Sequence, residues 1–465
     1  MIRMLHLRLF FLLLAALLLV SCHEPLGPEE PEIDWNDPGQ VDWAQTLDYV
    51  FDADEMPQIR ISVPQSQWDN LLAAYDRDPA TQEYVHCDIS FQKGNDYEFI
   101  TDAALRLKGN TSRRRPQEGD RYRHVHFGVN LHKYHDNALH TLKGLRRFDL
   151  KWFKDDPAYV REIYCYDLFR RFGVWTGVRD VYARLWVQVG DGPQRYYGVY
   201  GLMEHIDKNW LRSRKDRFGS AGGFLWKCGG GATLSSVNAK MGVDDDVHSY
   251  TYELKTHTDD GFPAAKEQLQ DFIRNLNTLQ NMVFYQWIAS VTDVDLLLRT
   301  YAVNVAVGMW DDYWNNSNNY YLYFNTTSPT EYQVWFIPYD YDNTLGTSIV
   351  CGVQSDAGRQ DPYQWGSRGN PLMTKILENP VWRARYRELL QELCGPSGDF
   401  TYLRSVARIR TWQEKISPYV SNDTKEDMRI VDRPANWGNH SEYRLLEAGP
   451  NNFFQVKSAI VAAME

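Results

Sequence analysis

At 465 residues, with 43% apolar and 14% aromatic side chains, the chain is long enough for one large domain or two to three ordinary ones, and too apolar to be an unfolded tail. A net charge of −11 argues against nucleic acid or anionic lipid as a bulk partner. The 16 Trp and 29 Tyr fit core and strand packing, with a stacking surface for carbohydrate or bases as the rival reading.

The N-terminus reads as a targeting segment. Arg3, His6 and Arg8 lead into LFFLLLAALLLV, followed by Leu19-Val20-Ser21-Cys22. Residues 1–22 resemble a bacterial lipoprotein leader, which implies removal of the leader and lipid on Cys22; an uncleaved signal anchor is the alternative. The expected location is therefore outside the cytoplasm, lipid-anchored to the cell envelope at the outer membrane or cell surface. Residues 23–45, rich in Pro and acid, read as a tether. Export leaves Cys87, Cys165, Cys228, Cys351 and Cys394, an odd number whose spacings match no zinc motif.

From about residue 46 the pattern is globular. Partial alternation predicts strands at 57–63 and 83–92 with a short helix between them. Residues 100–130 predict strand, basic turn, strand. Pro157 and Gly173 bracket a helix, and residues 181–204 form a hairpin through Gly190-Asp191-Gly192. Helices are expected at 207–216, 263–290 and 292–308. A strand pair follows at 320–325 and 333–340, then a helical stretch over 371–394 interrupted at Pro380, and further helix to the C-terminus. The Gly-rich stretch at 222–231 lacks a phosphate-loop pattern and is expected to be loop.

The chemistry-bearing residues concentrate in two stretches, MWDDYWNNSNNYYLYF (309–324) and WFIPYDYDNTLG (335–346). Asp340 and Asp342 follow a hydrophobic strand, where alternation would point both to one face as metal ligands; the same residues also make a good turn. Asp311 and Asp312 precede Asn318 and Asn319, an acid-then-amide order used to hold Mg²⁺-nucleotide in phosphoryl transfer, but also common in polar loops. Arg113, Arg114 and Arg115, with Arg121 and Arg123 nearby, can cradle phosphate or form a solvated turn. Glu162 lies in the expected 157–173 helix, where it can pair with a cation of the phosphate site, and Glu204 ends a strand.

RLKGNTSR (106–113), the LKGLRRFDLKWFKDDPAYVREIYCYDLFRRFGV stretch, YGVYGLMEHIDKNWL (197–211), GGFLWKCGGGATL, NNYYLYF, WFIPYDYDNTLG and NPLMTKILENPVWRARYRELL together resemble the spore-coat protein H (CotH-type) kinase family, in family order. The resemblance implies an α+β, bilobal protein-kinase-like fold, with a strand-rich N-terminal lobe over 46–206 and a mainly helical C-terminal lobe over 207–465. It implies transfer of the ATP γ-phosphate to a Ser or Thr of an envelope or exported protein, with Mg²⁺. In that scheme Asp312, with Asp311 second, is catalytic; Asp340, Asp342, Asn318 and Asn319 hold metal; Arg113 and Arg123 hold phosphates; Glu204 borders adenine. Where the family carries a lysine pair after its Ser–Arg turn, this chain has Arg123-His124-Val125-His126. An inactive kinase-like module that binds protein or glycan is the alternative function.

Overall fold

The computed structural model describes residues 43–135, 140–243, 249–347, 356–366, 369–435 and 442–464, with side chains from 47 onward. The leader, Cys22, nearly all of the expected tether and Cys351 lie outside the described residues. In chain order the first half gives α1 (Trp43–Val50), β1 (Gln58–Val63), α2 (Gln65–Arg77), β2 (Val85–Lys93), β3 (Asp96–Lys108), β4 (Gln117–Glu118), β5 (Arg121–Tyr122), β6 (His126–Asn130), β7 (Arg147–Lys151), α3 (Arg161–Arg171), β8 (Asp180–Val189) and β9 (Arg195–Glu204).

Seven of these strands close into a barrel in the order β1-β2-β3-β6-β7-β9-β8. The alternation that predicts each strand also makes closure favourable. Ile59, Ile61, Leu105, Leu107, Phe127, Phe148, Leu150, Val187 and Leu202 face inward and are almost fully buried. The seam is the parallel pairing of β1 with β8, Gln58 opposite Arg184 through Val63 opposite Val189. The other face of each strand points out of the barrel, and on β3, β6 and β7 it carries Arg106, Lys108, His126, Asp149 and Lys151.

The second half gives α4 (Lys208–Arg212), α5 (Lys215–Phe218), β10 (Phe224–Cys228), β11 (Met241–Val243), β12 (Tyr252–Leu254), α6 (Phe262–Thr278), α7 (Asn281–Val291), α8 (Val294–Val307), β13 (Tyr320–Phe324), β14 (Val334–Pro338), α9 (Pro371–Leu377), α10 (Pro380–Cys394), α11 (Tyr402–Ile416) and α12 (Phe453–Ala462). Strands β10–β14 form a five-stranded sheet in the order β11-β12-β10-β13-β14. Helix α8 runs through the larger core with Leu297, Tyr301, Val305 and Val307 buried, and ends where Gly308 takes φ +67°.

The expected bilobal protein-kinase-like fold is therefore corrected. The strand-rich half closes on itself as a barrel, and the half expected to be mainly helical carries a five-stranded sheet. The barrel escapes prediction because its seam pairs strands more than a hundred residues apart. The extra sheet escapes because β10, β11 and β12 are short and β10 runs through the Gly-rich 222–231 stretch expected to be loop. The residues from Leu47 to Glu465 form one compact unit.

Candidate active site

The site lies where the outer face of β3, β6 and β7 meets the turn after β14. An outward strand face is ordinarily solvated, yet here Lys108, His126, Asp149 and Lys151 are largely shielded. Lys151 ends β7, and its Nζ lies 2.6 Å from Glu162 Oε2 on α3 and 2.6 Å from Asp340 Oδ1. Its side chain is 11% exposed and that of Glu162 is 9% exposed, so the Lys151–Glu162 half of this carboxylate–ammonium–carboxylate bridge is buried, with Asp340 on its more open side. Burial alone would lower the Lys151 ammonium, but Asp340 and Glu162 outweigh it and hold it charged well above the usual range. Asp340 is opposed by burial yet kept below the usual carboxylate range, chiefly by Lys151.

Asp340 stands beyond the strand end. Its φ of +61° puts it in the left-handed region, which interrupts the alternation expected for Asp340 and Asp342. Its backbone N–H donates to the Tyr166 hydroxyl on α3 at 3.0 Å, so the strained residue is held at both ends of its peptide and side chain by α3 and β7. Burial and the adjacent Asp340 charge push Asp342 well above the usual range.

Beside this bridge, Lys108 pairs with Asp149 and donates to Tyr339 Oη at 2.9 Å. Asp149 in turn meets His205 Nδ1 at 3.1 Å. Lys227 on β10 is half-buried on the same side, its ammonium pushed down to about 8 by burial and by the Lys255 charge, with Lys108 and Asp340 within electrostatic reach. None of Lys108, Lys151 and Lys227 stands in the 123–126 segment, where the resemblance would put a lysine pair. Three separate strands bring them together.

The acid–amide loop is well ordered by its own side chains. Asp311 accepts from Asn316 Nδ2 at 2.5 Å and Asn319 Nδ2 at 3.1 Å, with Asn318 Nδ2 at 3.5 Å. Burial and the charge of Asp340 raise its carboxyl. Ser317 and Asn319 take positive φ, +54° and +55°. Asp312 instead turns into its loop: Oδ1 accepts the Asn315 N–H at 2.8 Å, and burial pushes the carboxyl up to about 7. The residue is 2% exposed.

Glu162, Asp311, Asn318, Asn319, Asp340 and Asp342 thus form one neighbourhood. Arg113, Arg123 and Glu204 are engaged elsewhere. The Arg113 guanidinium donates to the Thr81 carbonyl at 2.7 Å, and Arg123 pairs with Glu118 at 2.5 Å. Glu204 is buried among Arg214 at 2.5 Å, Arg179 and the Trp210 indole at 3.2 Å, a set that holds its carboxylate charged against burial. Sequence reasoning missed Lys151, Lys108 and Lys227. The available signal was the outward pair Asp149 and Lys151 in RFDLK, a strand whose polar positions carry opposite charges.

Among the described residues no three His, Cys, Asp or Glu side chains converge on a metal-sized point. The donor set still fits Mg²⁺, which needs only one or two carboxylates and takes its remaining oxygens from water and phosphate. Asp340 and Asp342 would supply that pair, with Asp342 raised by burial and by the like charge beside it.

Comparison with known proteins places the chain in a family. The curated proteins include a relative named Invasin CotH7 from Rhizopus delemar, 19% identical over 246 residues, which is 52% of this chain and 38% of that protein. The chain thus covers well under two thirds of that relative's length. The family model described as CotH kinase protein matches residues 105–443, from within β3 through the acidic turn and beyond α11, and the chain belongs to that family.

Proposed function

We propose that the protein transfers the ATP γ-phosphate to a Ser or Thr hydroxyl of an exported or envelope protein, in the presence of Mg²⁺. The observation that supports this most is Lys151 locked between Glu162 and Asp340. A lysine fixed by a helix carboxylate, beside an acidic metal-binding position, is the arrangement phosphoryl transfer uses to place phosphates. Bound Mg²⁺, held by Asp340 and Asp342, would supply charge neutralisation at the phosphates.

The chain's own residues account for the rest. Lys151, Lys108 and Lys227 provide positive charge for phosphate oxygens. Asp311, braced by three asparagine amides, orients the acceptor hydroxyl and takes its proton as the oxygen attacks the γ-phosphorus and ADP departs. Asp311 suits this role better than Asp312, whose carboxylate caps its own loop in a buried position. Export and a lipid on Cys22 complete the proposal, resting on the leader sequence alone.

The test is transfer of radiolabelled γ-phosphate from Mg-ATP to the protein itself and to a Ser/Thr peptide library. Wild type should label an acceptor. Asp311→Asn should lose transfer by about 100-fold or more while still binding Mg-ATP. Undiminished transfer by Asp311→Asn would remove Asp311 from the reaction.

A further inference from the structure

Asn304 lies in the last turn of α8, fully buried beside the apolar Val303, Val305 and Val307. An amide in such surroundings costs free energy unless its polar ends are satisfied. Its Oδ1 accepts from the Tyr341 hydroxyl at 2.9 Å. Its Nδ2 is buried and makes no hydrogen bond of ordinary geometry among the described residues, and the same holds for Asp312 Oδ2. The two groups are neighbours, since Asn304 favours the charged form of Asp312. The carboxylate therefore faces the donor end of the amide and leaves the carbonyl end to Tyr341.

Tyr341 stands between Asp340 and Asp342. It is 1% exposed, whereas the acids on either side are half-buried, so the turn drives one ring into the core and keeps two carboxylates in the site. The ring meets Phe169 of α3 edge-on at 4.8 Å. Apolar packing of this kind is non-directional, and the hydrogen bond to Asn304 is what fixes how the ring enters. Burial and the Asp312 charge hold the Tyr341 hydroxyl well above the usual phenol range, so it remains a donor. Further along the turn, the Leu345 N–H donates to the Val307 carbonyl at 2.8 Å. Helix α8 thus grips the acidic turn at two points, and Asn304 is the one next to both acids.

Resting on the reading that Asp340 and Asp342 hold Mg²⁺, we propose that Asn304 is a positioning residue for that pair: through Tyr341 it fixes the spacing of the two carboxylates and so sets the Mg²⁺ concentration at which nucleotide binds. Groups that orient metal ligands without touching the metal typically change its affinity by about 10–100-fold when removed.

The experiment is calorimetric titration of ATP into the protein over a range of Mg²⁺ concentrations, for wild type, Tyr341→Phe, Asn304→Leu and the double variant. Tyr341→Phe keeps the ring and removes only the hydroxyl. Each single variant should raise the Mg²⁺ concentration needed for half-maximal ATP affinity by about tenfold or more. The double variant should shift it no further than the larger single, because both changes remove the same hydrogen bond. Thr300→Val removes another buried hydroxyl of α8, one that donates to the Leu296 carbonyl of its own helix at 2.8 Å, and should leave the Mg²⁺ requirement unchanged. Metal-dependent ATP binding in wild type with an unchanged requirement in folded Tyr341→Phe, or an equal shift in Thr300→Val, would overturn the positioning role alone. Absence of metal-dependent ATP binding in folded wild type would overturn the Mg²⁺ reading and the role with it.

Discussion

Replacing Lys151 by Met isolates the bridge at the centre of the site. Two carboxylate oxygens lie 2.6 Å from its Nζ. At an effective dielectric of 20, each such contact represents about 6 kcal/mol of gross attraction. The Asp340 side is discounted because that side chain is 34% exposed and solvent screens it. The Glu162 side is 9% exposed and bears most of the consequence. Once desolvation is set against attraction, removing one partner of a buried pair costs about 3–5 kcal/mol, because the remaining charge is stranded. Urea unfolding followed by tryptophan fluorescence should show that loss in Lys151→Met. Adding Glu162→Gln should restore part of it, giving a coupling of about 1–3 kcal/mol between the two positions. A Lys151→Met protein within about 1 kcal/mol of wild type, or strictly additive single and double variants, would refute the buried bridge.

Asp312→Ala should cost about 1–2 kcal/mol of stability by leaving the Asn315 N–H without its acceptor, and should retain most phosphate transfer; denaturation and labelling assays in parallel check both. His205 gives a pH signature. Burial lowers its pKa from 6.5 to about 4, so between those values the unfolded chain takes up a proton that the folded one does not. Stability should therefore fall as pH drops through that window, by about 1.4 kcal/mol per pH unit from this group, and urea titrations at pH 6.5 and 5 should show a shallower fall in His205→Gln. Gly308→Ala should lower stability by about 1 kcal/mol or more, because α8 ends there at positive φ and a Cβ would stand 2.9 Å from the Phe453 ring; thermal denaturation measures it.

The local pattern was legible where one strand or helix decides it. The alternation in QIRISV, the hairpin through Gly190-Asp191-Gly192 and the break at Pro380 all appear in the structure as expected. The 263–290 stretch divides into α6 and α7 because the chain turns extended at Leu279 and Gln280. Closure of the barrel was not legible, since the β1–β8 seam has no local signature.

The site divides along the same line. Asp311 and Asp312 after α8 and Asp340 and Asp342 after β14 stood out as acid pairs in the sequence, and the structure brings Asp311, Asp340 and Asp342 into one neighbourhood. Lys151 did not stand out, because a single strand lysine looks solvated until topology covers its face. The Arg113–Arg115 run stood out as well. Its charge density suggested phosphate, whereas the structure engages Arg113 with Thr81, Arg114 with Glu426 and Arg115 with Asp76. A charge run reports composition, and only the fold says which partners it meets.

The most direct measurement is calorimetric titration of ATP into the protein with and without Mg²⁺, beside Asp340→Ala. Metal-dependent binding in wild type that is lost in folded Asp340→Ala is the expected result. Failure of the folded wild type to bind Mg-ATP, or equal binding by Asp340→Ala, would contradict a nucleotide site built on Asp340 and Lys151.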